Sequence, residues 1–184
     1  ILERIEGSLL EEQLTNQQPA LWNEVFAWMA PVLVTLASVH GRGIIHGDLK
    51  PSNVFVRTKG HPIRLIDFGV AKVQGLDRLT NTGEFAGTLR YCAPEQLMGR
   101  EVTPSADLYA VAAMAVEHLT GQPIFEAKHP GALVFEITQG ISPSKIPGSQ
   151  RLRSGDSAVL SKMLQKECSD RYASAADVLA QLRI

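Results

Sequence analysis

The sequence predicts a mainly α-helical domain that carries short β-hairpins around two acidic loops. Two observations predict it. Apolar residues recur at helical spacing over long stretches, and short β-branched or aromatic runs border loops rich in Asp, Asn, Gly and Pro. The composition, 184 residues with 45% hydrophobic and 20% charged, fits a single unit able to bury roughly 70% of its unfolded surface.

In chain order, Leu21, Val25, Trp28, Met29, Val32, Leu36 and Val39 recur at three- and four-residue intervals and mark an amphipathic helix. Pro31 should kink or divide it, since proline removes a hydrogen bond and crowds the preceding turn. Ile44-Ile45 and Val54-Phe55-Val56 read as short strands holding the loop between them, and Ile63-Arg64-Leu65-Ile66 reads as another. A later helix starts near Thr103-Pro104-Ser105, with a capping hydroxyl and a proline in its first turn, and ends by Gly121 with Pro123 beyond. Its run Leu108 to Val116 is apolar all round, so this helix is central and buried. Asp107 at its entrance either has partners or simply favours the helix dipole. The final helices, Ser157 to Lys166 and Ser174 to Leu182, flank Asp170-Arg171. Gln139 to Gly155, rich in Ser, Pro and Gly with Lys145, Arg151 and Arg153, reads as an exposed connection.

A net charge of -1 gives no basic field for nucleic acid or an anionic membrane. The apolar stretches Val32 to Val39 and Leu108 to Val116 are too short to span a bilayer, and no signal segment is expected. Neither nucleic-acid nor membrane contact is therefore expected of this segment. Cys92 and Cys168 fit a reducing compartment, so the expected location is cytoplasmic, with Cys92 either a small buried residue or a reactive thiol.

The chemistry concentrates in His46-Gly47-Asp48-Leu49-Lys50-Pro51-Ser52-Asn53. Phosphoryl transfer asks the protein mainly for positioning and charge neutralisation. Asp48 can orient an attacking hydroxyl and accept its proton, Lys50 can neutralise the transferring phosphate, and the Asn53 amide oxygen suits Mg²⁺. Alone, these residue types also make ordinary surface turns. Asp67-Phe68-Gly69 then supplies a second carboxylate able to share metal with Asn53.

With Gly87-Thr88-Leu89-Arg90-Tyr91-Cys92-Ala93-Pro94-Glu95, the ordered set resembles the eukaryotic-type protein kinase family over nearly the whole chain. The resemblance implies a protein kinase-like C-terminal lobe. It implies Asp48 as catalytic base, Lys50 as phosphate contact, Asn53 and Asp67 as metal ligands, Phe55 under the adenine, and Thr88 bonded to Asp48 and Lys50. Glu3 and Ile5, in a stretch that looks like the hinge between kinase lobes, would meet the adenine edge. His46 and Phe68 are support residues of the two loop motifs; Asp107 would accept backbone amides of the catalytic loop, and Arg171 would pair with Glu95. The Lys-Pro-x-Asn form looks like the serine/threonine branch. ATP and Mg²⁺ are the implied cofactors and a protein the implied substrate.

Two departures bear on this expectation. Gly47 stands where most protein kinases carry an arginine that holds an activating phosphate, which weakens the case for switching through Thr80 or Thr82 in the long segment from Asp67 to Glu95. His-Gly-Asp also occurs in aminoglycoside-type phosphotransferases, the rival reading beside a non-catalytic kinase-like scaffold. Lys50 and the segment Gly87 to Glu95, a peptide-docking element, favour the protein kinase. Secondly, no glycine-rich phosphate loop of the Gly-x-Gly-x-x-Gly form occurs. The expectation is hinge plus lower lobe over residues 1–184, with the N-terminal lobe missing and the segment inactive by itself.

Overall fold

The computed structural model describes residues 6–15, 18–57, 63–68, 87, 89–142, 146, 148 and 152–182. Glu3, Ile5, Thr80, Thr82, Thr88, Lys145 and Arg151 lie outside the described residues.

Three short strands, β1 (Gly7–Leu9), β2 (Val54–Arg57) and β3 (Ile63–Leu65), form one antiparallel sheet in the order β1-β2-β3. The β2–β3 pair was legible in its β-branched runs; β1 was not. Gly7 explains how β1 docks: at φ 155° a Cβ would run into the carbonyl of Val56, so only glycine allows the approach that pairs Gly7 with Arg57. Ile44-Ile45, expected as a strand, is irregular backbone. Its neighbours His46 and Gly47 give their N–H groups to the Asp107 carboxylate, not to a strand partner.

Among the described residues the bounded helices are α1 (Leu10–Leu14), α2 (Trp22–His40), α3 (Pro94–Leu97), α4 (Pro104–Thr120), α5 (Pro130–Gln139), α6 (Ser154–Met163) and α7 (Ala175–Gln181), with 3₁₀ turns at Pro51–Asn53 and Cys168–Asp170. α2 runs through Pro31 without being divided there, one of the two outcomes expected of that proline. Proline costs about 3 kcal/mol in a helix interior. Burying Val25, Trp28, Met29, Val32, Leu33 and Leu36, at roughly 1.5–3 kcal/mol for each large side chain, outweighs that cost. Leu21, expected on the apolar face, sits at the N-cap and is exposed. By length and composition α2 could cross a membrane, yet its apolar face is buried in the core against α4 and α7.

α4 is the axis of the molecule. Ser105 to Val116, His118 and Leu119 are all buried, and Gly121 closes the helix in the left-handed region. Thr103 occupies the N-cap, but its hydroxyl bonds Ser105 Oγ at 2.8 Å and caps no backbone amide. α6 begins three residues before the expected Ser157 and stops at Met163, because its polar first turn faces solvent and leaves no periodic signal. α7 runs Ala175–Gln181 with Ser174 as its cap. The supposedly exposed connection contains Ile146, 5% exposed and part of the core, and gives its last residues to α6. α5, its buried side limited to Leu133 and Ile137, was not anticipated.

Candidate active site

The loop between α2 and β2 is held from below by α4. Asp107, 1% exposed, accepts from His46 N at 2.9 Å, from Gly47 N at 2.9 Å and from His40 Nε2 at 2.8 Å. These contacts give the buried carboxylate the partners it requires and fix the start of the loop. Asn53 holds the far end. Its amide nitrogen donates to the Asp48 carbonyl at 2.8 Å and lies 3.4 Å from Asp48 Oδ2, while its own N–H bonds the Lys50 carbonyl at 2.9 Å. Lys50 Nζ lies 3.2 Å from Asp48 Oδ2, with both side chains partly exposed. Acid, ammonium and amide thus converge at an accessible edge.

The second loop joins the first through the backbone. Ile66 N donates to the Asn53 carbonyl at 3.0 Å, which ties the residue before Asp67 to Asn53. His46, fully buried, donates Nε2–H to the Ile66 carbonyl at 3.0 Å, and its ring packs on Phe68 with centroids 4.7 Å apart. Asp67 is exposed and takes φ 54°, the one positive φ among described non-glycine residues. Such backbone strain of about 1–2 kcal/mol collects at functional loops. The donor set fits a hard cation: Asn53 gives its nitrogen to Asp48, which leaves its amide oxygen out of that contact, and Asp67 adds an exposed carboxylate one residue past the Ile66 link to Asn53. Phe55, half-buried in the central strand, pairs with Leu9 on one side and Arg64 on the other.

Beside Lys50 opens a cleft of about 450 Å³ lined also by Ser52, Gly87, Arg90, Tyr91 and Glu117. Tyr91 OH donates to Glu117 Oε2 at 2.7 Å; burial raises the Glu117 carboxyl, while Tyr91 and Arg90 pull it back. Cys92 is half-buried, and burial pushes its thiol up to about 12, which favours the protonated form near neutrality. Glu95 and Arg171 lie 2.7 Å apart in a bidentate pair. Arg171 also donates to the Gln165, Lys166 and Ser105 carbonyls and stacks 4.9 Å from the Tyr109 ring. Gln96, which sequence reasoning passed over, links this region to the loop of Asp48 through the Gly47 carbonyl at 2.7 Å.

The geometry is matched by kinship. The family model described as protein kinase domain matches residues 1–182. The chain is 32% identical over 99% of its length to the probable serine/threonine-protein kinase pknA2 of Bifidobacterium longum, covering 24% of that protein. It is 33% identical over 95% of its length to the serine/threonine-protein kinase PknH of Mycobacterium bovis, covering 29% of it, and 27% identical throughout to PrkC of Bacillus subtilis, covering 28%. It therefore spans about a quarter of the length of these relatives. The chain belongs to the protein kinase domain family, of the eukaryotic serine/threonine type.

Proposed function

We propose that this chain supplies the catalytic loop of a serine/threonine protein kinase, which transfers the γ-phosphoryl group of ATP to a protein hydroxyl. The observation that carries the reading is the convergence of Asp48, Lys50 and Asn53 on a loop anchored by Asp107. Asp48, partly exposed, orients the substrate hydroxyl and accepts its proton. Lys50 lies beside it and offsets charge on the transferring group. Asn53 and Asp67 would hold Mg²⁺ by oxygen, and the ion, when bound, neutralises charge on the phosphates.

A polypeptide acceptor is supported by the cleft, because Gly87, Arg90 and Tyr91 of the docking segment share its wall with Lys50. The relatives cited carry serine/threonine-protein kinase in their names. Since these 184 residues contain no Gly-x-Gly-x-x-Gly loop, they should by themselves transfer phosphate negligibly. Measurable turnover of ATP by this segment with Mg²⁺ would contradict that statement. The test of the whole reading is phosphate incorporation into a serine/threonine protein substrate by the full-length protein beside its Asp48→Asn variant. Loss of incorporation is expected; equal incorporation, or transfer to aminoglycosides only, overturns the assignment.

A further inference from the structure

We infer that Gln96 is a positioning residue for this phosphoryl transfer, its carboxamide tying the docking segment to the peptide bond that precedes Asp48. Its kinetic consequence rests on the kinase reading; the restraint itself rests on geometry. Gln96 lies on α3 and is 5% exposed. Its Nε2 donates to the Gly47 carbonyl at 2.7 Å, and its Oε1 accepts from Ala93 N at 2.9 Å. One buried carboxamide therefore satisfies main-chain groups of two segments far apart in sequence, and loss of either contact leaves a buried polar group unpaired.

The place of that contact gives it leverage. Gly47 has φ 73°, and a glycine preceding Asp48 permits wider rotation than any other residue. Its N–H is fixed by Asp107 Oδ1 at 2.9 Å. The next N–H, that of Asp48, has only a long 3.4 Å contact with His46 Nδ1. The orientation of the Gly47–Asp48 peptide plane is thus set chiefly by its carbonyl, and the carbonyl is held by Gln96. Tilting that plane swings the Asp48 side chain away from the hydroxyl it must meet. The other end of the carboxamide grips Ala93, next to Pro94 and to Glu95 of the Arg171 pair, so the peptide-binding wall and the base share one restraint. Gly47, Asp48, Tyr91, Cys92, Gln96 and Asp107 line a residual cavity of only about 10 Å³ at this junction. A shortened side chain would admit water there, whereas methionine fills the same space without the polar atoms.

The test uses the full-length protein, its Gln96→Met variant and its Gln96→Glu variant, each confirmed folded by its thermal transition. For Gln96→Met we expect kcat lower by about tenfold, the worth of one hydrogen bond, with KM for ATP unchanged. Gln96→Glu retains the acceptor for Ala93 but sets a carboxylate against the Gly47 carbonyl. Its kcat relative to wild type should be low at pH 8 and climb as the pH falls, because the protonated carboxyl donates again. A variant-to-wild-type ratio that stays flat with pH, or kcat within twofold of wild type for both variants, overturns the inference. Should the methionine variant fail to fold, the pH ratio of the glutamate variant decides. Amide hydrogen exchange at Asp48 separates the two readings. Faster exchange in Gln96→Met supports the restraint even if wild type proves to have no Asp48-dependent kinase activity, and unchanged exchange refutes it.

Discussion

Gly47 holds a backbone angle of φ 73°, which any residue with a Cβ adopts only at a cost of about 1–2 kcal/mol. Its identity therefore has a conformational reason. Replacing Gly47 with alanine should lower the free energy of unfolding by about 1 kcal/mol, read as a shift of the urea midpoint at constant slope. The neighbouring restraint is stronger. Asp107→Asn keeps the volume but places an NH₂ among three donors, from His40, His46 and Gly47. A loss on the order of 2 kcal/mol is expected, again by urea unfolding, and an Asp107→Asn protein as stable as wild type would contradict the anchor. The candidate residues Asp48, Lys50 and Asn53 could be proposed from sequence because acid, ammonium and amide stand within one short loop. Gln96 could not, since its worth depends on a carbonyl 49 positions away that only the fold brings near.

At the scale of elements, the pair Glu95–Arg171 joins α3 to the turn before α7. Both side chains are almost wholly buried, so truncating either to alanine strands a charge and should cost about 3–5 kcal/mol in equilibrium unfolding. The double variant Glu95→Gln with Arg171→Met should be less damaged than Arg171→Ala alone, because no charge remains unpaired. If the double change is the worse of the two, charge burial is not what makes the single change costly. Elements with a long apolar period, α2 and α4, were legible; β1 and α5 were not. Three residues cannot display a period, and α5 buries only Leu133 and Ile137, too few positions to stand out from a loop. Pro31 does not divide α2, because tertiary burial along the helix outweighs the local penalty.

Across the whole molecule, the two core helices are fastened by a polar contact inside an apolar seam. Trp28 on α2 donates Nε1–H to Nδ1 of His118 on α4 at 3.0 Å, and burial lowers the His118 pKa from 6.5. The acceptor must be neutral. Below about pH 6.5 the unfolded chain takes up a proton that the folded chain resists, so this contribution to stability is complete above that pH and shrinks as pH falls through it. Glu117, raised from 4.5 by burial, acts with the opposite sign, favouring the fold where it stays protonated. The difference between wild type and His118→Gln isolates the histidine: the gap between their urea midpoints should narrow from pH 7.5 to pH 5.5. A constant gap would contradict it. The helical core and the order of motifs were thus open to sequence reading, and the Asp107 and Glu95–Arg171 contacts were reached through the family resemblance. The Gln96–Gly47 and Trp28–His118 contacts were not, because each joins residues whose separation in sequence carries no pattern.

The contact between His46 and Ile66 also selects a tautomer. A carbonyl can only accept and the Asp48 N–H can only donate, so the fully buried ring carries its proton on Nε2 and keeps Nδ1 as an acceptor. That tautomer is a spectroscopic gauge of the junction between the two acidic loops. Its pair of ¹⁵N resonances should hold a fixed, widely split pattern while the loops stay joined and collapse toward the averaged values of a freely exchanging imidazole when they part, reporting the state of the site without any substrate present.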